Sequence, residues 1–361
     1  MRSEEGGGWA HHAVPLVTCI AEQSVAQRVF PGCVIGLADR SGAQAILHIG
    51  HLTYDGDSPA VSTDTVYDAA SLTKVVPTST LALMALDQGR LALGSRVREF
   101  VPELGGPYRD AITVHHLLSH TLDFGFALSS LKDLPGQQLL DRILAAPLRA
   151  APGTRFVYGN ATSILLGLVV ERVLGDRLDA LAKRLVLGPL AMRESRLGRI
   201  PAEVLQRTAP SEDDPWRGRA IRGETHDESA WRLGEMMTPG SAGLFTTVPD
   251  LLRFLRMVLA GGALDGCRVL GEATVSRIAE NQIPHLALCT GLGWEMGQTE
   301  WMGSRAEGLI GKTGFTGCAV MADLHSGRGL VMLSNWTWPR RRAGRAEIDQ
   351  VRRQVAEAVF G

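Results

Sequence analysis

Lysine is scarce in this chain of 361 residues: Lys74, Lys132, Lys183 and Lys312 stand against 33 arginines. The arginine excess reads as codon bias in a GC-rich genome, so each ammonium group merits individual inspection. An excess of either charge sign is also lacking. The 37 Lys+Arg balance 38 Asp+Glu for a formal net charge of -1, which leaves no basic footprint for nucleic acid and no field for steering highly charged partners. No apolar run approaches the ~18 residues of a membrane span. The five cysteines, Cys19, Cys33, Cys267, Cys289 and Cys318, are odd in number and form no CxxC pair, which fits reduced thiols better than a disulfide frame. The opening Met1-Arg2-Ser3-Glu4-Glu5 lacks a basic n-region, and the apolar stretch from Ala13 to Ala21 is broken by Pro15, unlike a secretory signal. A cytoplasmic setting is therefore expected, and a periplasmic one if the true start lies upstream. No phosphate-cradling loop, dinucleotide fingerprint or Gly-x-Ser-x-Gly elbow occurs, so no cofactor is implied and an α/β-hydrolase is disfavoured.

What is there is an ordinary globular composition, 45% hydrophobic and 21% charged, long enough for about two domains or one with an insertion. After an amphipathic stretch from Val14 to Phe30, Cys33–Ala38 and Ala45–Ile49 read as a hairpin, and Gly317–Asp323 with Gly329–Leu333 read as a second. Ile348, Val351, Val355 and Val359 recur at helical spacing in a last helix from Ala346 to Val359. Between these ends the pattern is helical: Leu72 to Leu86, Val114 to His120, Gln137 to Leu144, Ser163 to Leu174 and Leu178 to Leu187. Residues 208–240 read as a long loop, and Thr247-Val-Pro-Asp250 begins a helix to Ala260. Strands, helices, strands, helix predict an α+β fold with an antiparallel sheet built from both chain ends and a helical region inserted between them.

The first chemical candidate is Ser71-Leu72-Thr73-Lys74. A serine at a helix start and a lysine three residues on share a face. The hydroxyl needs a base within hydrogen-bond reach, and a lysine serves when burial depresses its pKa. The helix N-terminus adds N–H groups where an oxyanion develops. The spacing alone is weak, because Ser129-Ser130-Leu131-Lys132 repeats it. That copy lies in a polar segment, where Lys132 is expected to stay solvated.

Three ordered segments, Asp68-Ala-Ala-Ser-Leu-Thr-Lys74, Tyr158-Gly-Asn160 and Lys312-Thr-Gly314, resemble the signature elements of serine β-lactamases and penicillin-binding proteins. The Tyr-x-Asn form resembles class C β-lactamases and the related family VIII-type esterases. Leu117-Leu-Ser-His-Thr121, Pro152-Gly-Thr154, Ser241-Ala-Gly-Leu-Phe245 and Leu333-Ser-Asn335 resemble further landmarks, so the likeness covers nearly the whole chain. It implies a β-lactamase-like fold with a sheet domain from residues 1–66 and 240–361, a mainly helical domain from 67–239, and the site between them. By the same resemblance, Ser71 is the acylated nucleophile, Lys74 and Tyr158 handle its proton, and Lys312 lowers the Tyr158 pKa with Lys74. Asn160 holds Lys74 and the substrate, while Thr313 and Gly314 lie on an edge strand lining the site. The N–H groups of Ser71 and Phe315 form the oxyanion hole.

Departures accompany the likeness. Pro77 should kink the helix just after Lys74, Leu122-Asp123 stands where many relatives have Ser-Gly, and the role of His226-Asp227 is open. His115, His116 and His120 have the look of a metal site but lack the Glu of a zincin, and read as structural. His11-His12 reads as a disordered terminus, and Arg340-Arg341-Arg342 as a solvated turn. The resulting expectation is a cytoplasmic serine hydrolase acting through an acyl-enzyme, a carboxylesterase or amidase on small acyl substrates. A β-lactamase or D-Ala-D-Ala carboxypeptidase is the alternative, and a catalytically silent ligand-binding relative is the alternative of another class. Acyl transfer is a variant of the first. The expected partner is a small-molecule ester, amide or lactam, without nucleic acid or membrane; no oligomeric state is read from the sequence.

Overall fold

A computed structural model describes residues 8–361; the N-terminal Met1–Glu5 segment, on which the signal-peptide reading bears, lies outside the described residues. The expected α+β architecture is observed. Six antiparallel strands form one sheet in the spatial order Glu295–Met296, Leu309–Thr313, Ala319–Asp323, Arg328–Ser334, Gly32–Asp39, Gln44–Gly50. The two chain ends meet in its middle, where Cys33 pairs with Ser334 and Asp39 with Arg328.

Strand alternation sends successive side chains to opposite faces. Cys33, Ile35, Leu37, Met321, Leu330 and Met332 face an outer core. It is closed by the helix Gly8–Ala26, through Ala13, Val17 and Ala21, and by the helix Ala346–Phe360, through Ile348, Val351, Val355 and Val359. The first helix carries the backbone of both His11 and His12, so the expected disordered terminus there is corrected. Val34, Val320, Val331 and Leu333 face the inner core with the helix Val248–Leu259. That helix approaches closely because a Cβ on Gly36 would lie 2.5 Å from Val248 and one on Gly329 would lie 2.6 Å from Leu255. The inner core runs without a break into the helical region, through Leu81, Leu117 and Leu165.

The helices of that region are Thr80–Asp87, Val114–Leu118, Gly136–Leu144, Asn160–Leu174 and Leu178–Ala182. A small sheet of Tyr67–Asp68, Leu244–Thr246 and Arg196–Leu197 joins it to the sheet region. Two expectations need correction. The helix expected from Leu72 to Leu86 is three pieces: a tight turn Ala70–Lys74, a wide π turn Val75–Ser79, and a regular helix Thr80–Asp87. Pro77 lies in the wide turn, where its missing N–H and ring bulk forbid regular helical bonding. Residues 208–240 are not a featureless loop either. They hold a hairpin, Glu212–Asp214 with Arg219–Ile221, and a helix Glu228–Leu233 capped by Asp227. Elements this short have no readable period. Among the described residues no helix is long and apolar enough to cross a membrane.

Candidate active site

The turn Ala70–Lys74 leaves the strand Tyr67–Asp68 with Ala70 at φ 46°, a left-handed conformation uncommon for alanine. Ser71 follows, half-buried, and Lys74 points back beneath it, 1% exposed. The Lys74 ammonium donates to Ser71 Oγ at 3.0 Å, to Asn160 Oδ1 at 2.8 Å and to the Ser241 carbonyl at 2.8 Å. Three donors thus meet three acceptors, fixing Nζ against the serine. Burial lowers the Lys74 pKa from its usual value; Lys312 adds to this, while Tyr158 and Asp227 oppose it.

Tyr158 and Asn160 sit where the chain enters the helix Asn160–Leu174. The Tyr158 ring, 42% exposed to the cleft, has Lys312 Nζ 3.9 Å and Lys74 Nζ 5.3 Å from its centroid. Burial around the phenol works to raise its pKa, but Lys312 and then Lys74 outweigh it, and the net shift is downward. Asn160 Nδ2 donates to Asp227 Oδ2 at 2.7 Å, so the amide bridges Lys74 and the 208–240 segment.

Lys312, also 1% exposed, pairs with Glu295. Burial works to lower its pKa, and Glu295 with Tyr158 overcomes that and raises it. The strand expected to form the sheet edge is second from it. Glu295–Met296 is the outer strand, but it pairs only with Gly311 and Ile310 and leaves Lys312 and Thr313 uncovered on that side. At Gly314 a Cβ would lie 2.5 Å from the Ala69 carbonyl, so only glycine permits this approach to the turn that bears Ser71. The Phe315 N–H donates to no acceptor among the described residues.

Ser71, Tyr158, Asn160, Thr313, Gly314 and Phe315 line one cavity of about 680 Å³, with Lys74 and Lys312 behind its wall. Leu122, Phe124, Phe126, Leu128 and Trp336 supply much of its apolar lining. A deep lysine against a serine, a second lysine against a tyrosine, and the unpaired Phe315 N–H are groups suited to acyl chemistry.

The family is decided by the match of the beta-lactamase family model over residues 18–353. The chain belongs to the beta-lactamase family. Among its relatives, esterase EstB of Burkholderia gladioli is 30% identical over 268 aligned residues, covering 65% of this chain and 66% of that protein. A putative D-alanyl-D-alanine carboxypeptidase of Escherichia coli K12 is 26% identical, covering 78% and 73%. A solved class C beta-lactamase superposes with a TM-score of 0.76 at 20% identity, over 97% of each chain. The beta-lactamase-like fold is therefore shared, and the family is one of serine hydrolases.

Residues to which the sequence assigned no part in the site complete the beta-lactamase-like cleft. Glu295 and the Ser241 carbonyl are two. Others form a strap around His226: its Nε2 is 2.8 Å from Glu212 Oε2, and its ring stacks on Phe315 at 5.5 Å. Arg341 binds Glu212 at 2.7 Å and Glu228 at 2.8 Å. The expectation of a solvated Arg340–Arg342 turn holds for Arg340 and Arg342, which are exposed, and is corrected at Arg341, which is drawn inward by two buried carboxylates. Lys132 is not free in solvent but half-buried, its Nζ 5.3 Å from the Trp216 ring centroid. His116 caps Thr113 through Nδ1 at 3.1 Å, and His120 packs 5.0 Å from the Tyr158 ring, each in a structural setting.

Proposed function

We propose that this chain is a serine hydrolase that forms a covalent acyl-enzyme on Ser71 and acts as a carboxylesterase or amidase on small acyl substrates. The observation that carries the reading is the 3.0 Å contact between Ser71 Oγ and a buried Lys74 whose remaining donors are held by Asn160 and Ser241. Lys74 and Tyr158 take the Ser71 proton as Oγ bonds to the acyl carbon. The carbonyl oxygen becomes an oxyanion facing the N–H groups of Ser71 and Phe315. Tyr158 then returns the proton to the departing alkoxide or amine, and the C–O or C–N bond breaks. In the second half a water gives its proton to Tyr158 and adds to the acyl carbon; the bond from that carbon to Ser71 Oγ then breaks, and Tyr158 returns the proton to Oγ. Lys312 keeps the phenol acidic, Asn160 orients Lys74 and the substrate carbonyl, and Thr313 with Gly314 lines the acyl path.

An ester substrate is supported by the likeness to esterase EstB and by the apolar wall of a cavity sized for a small molecule. The likeness to the Escherichia coli carboxypeptidase supports a second reading on lactams or peptides. We place the site between a sheet unit, residues 1–66 and 240–361, and a helical unit, residues 67–239. A cytoplasmic setting belongs to the proposal, supported by five unpaired cysteines. The test is hydrolysis of p-nitrophenyl acetate, p-nitrophenyl butyrate and nitrocefin by the wild type and Ser71→Ala. Ester turnover that falls at least 1,000-fold in Ser71→Ala, roughly the loss expected for a nucleophile, with slow nitrocefin cleavage, is the expected result. Faster nitrocefin cleavage favours the second reading, and activity surviving Ser71→Ala overturns both.

A further inference from the structure

Asp68 is 4% exposed and forms no ion pair among the described residues. A buried carboxylate without a counter-charge is costly unless several donors reach it. Here two backbone donors do: the Ala70 N–H reaches Oδ1 at 2.8 Å and the His226 N–H reaches Oδ2 at 2.7 Å. A third bond arrives at the same residue, from Thr316 Oγ1 to the Asp68 carbonyl at 2.7 Å.

The positions of these three donors give the arrangement its meaning. Ala70 directly precedes Ser71 and holds the left-handed φ of 46° that turns the serine into the cleft. Thr316 directly follows Phe315. His226 directly precedes Asp227, which accepts from Asn160, which in turn accepts from Lys74. One residue thus fastens the segment bearing each proposed oxyanion N–H and the segment that anchors the lysine.

We propose, building on the acyl-enzyme reading above, that Asp68 is a positioning residue: it sets the spacing between the Ser71 and Phe315 N–H groups and aligns them with Lys74. An asparagine of the same shape cannot replace it. Its amide has one acceptor oxygen for two converging N–H groups, and its NH2 would face the other donor. Ala70 would then be released from its strained turn.

The experiment compares Asp68→Asn with the wild type on p-nitrophenyl butyrate and measures inhibition by phenylboronic acid, which forms a tetrahedral adduct with an active serine. The expected result is a loss of roughly 100-fold in kcat, the scale for a misplaced oxyanion donor, with KM within about threefold. Phenylboronic acid binding weakens by a similar factor, because both depend on the tetrahedral geometry. A kcat within threefold of the wild type, or a loss carried by KM with boronate affinity unchanged, overturns the proposal. Should Asp68→Asn not fold, Thr316→Val carries the test by removing the third bond. A fall of about tenfold in kcat and boronate affinity supports the proposal, and unchanged values overturn it. Ser71→Ala in parallel separates the two levels: if it remains active, the acyl-enzyme reading falls; if it is dead while Asp68→Asn stays active, only the role of Asp68 falls.

Discussion

Tyr158 owes its acidity to two ammonium groups, and Glu295 works against them. The carboxylate compensates Lys312 and pushes the phenol back upward. The proposed mechanism needs the deprotonated form of the Lys74–Tyr158 pair, so activity is lost as pH falls through its lowered pKa. Replacing Glu295 by Gln leaves the Lys312 charge uncompensated, favours the phenolate, and should move the acidic limb of a kcat/KM pH profile to lower pH. Lys312 loses the partner that raises its pKa, so the alkaline limb should move the same way. Breaking this largely buried pair should also cost roughly 2 kcal/mol, read from denaturant unfolding. Ser71, Lys74, Tyr158, Asn160 and Lys312 were legible because they recur as ordered short patterns. Glu295 was not, since a single glutamate between Trp294 and Met296 has no local pattern and reaches Lys312 only through strand pairing.

The segment that bears Ser71 shows how elements were read in part. Its apolar pattern correctly announced a buried helical run, and Pro77 announced a distortion. The pattern did not reveal that the run divides into a tight turn, a wide turn and a helix, because all three have similar apolar periodicity. The end of the strand Leu309–Thr313 poses the complementary case, since the glycine just beyond it, Gly314, matters only through what it approaches. Gly314→Ala would drive a Cβ toward the Ala69 carbonyl and push the strand end from Ser71. We expect a fall of about 100-fold in kcat with a loss of about 1–3 kcal/mol, the usual scale for overpacking, checked by steady-state kinetics and thermal unfolding. The 208–240 segment was missed as structure because its order comes from distant partners: Asp68 holds His226, Arg341 holds Glu212, and Asn160 meets Asp227.

At the scale of the molecule, the inner core crosses the proposed sheet and helical units without interruption, and the strand Leu244–Thr246 pairs with Tyr67–Asp68 across their boundary. The two units should therefore unfold together. Fluorescence, reporting tryptophans of both units such as Trp231 and Trp294, and circular dichroism, reporting the helices, should give coincident single-step denaturant transitions; two separated transitions would show that the units are independent. The sequence by itself determined the class of fold, because hydrophobic periodicity, turn residues and the order of strands and helices are local properties. It also pointed to the proposed reactive groups, because their spacing along short segments carries chemistry. Only the tertiary structure decided which groups govern them. Ion pairing to Glu295, the bonds converging on Asp68 and the strap from Arg341 to His226 join residues far apart in the chain, and such contacts exist only once packing has brought the segments together.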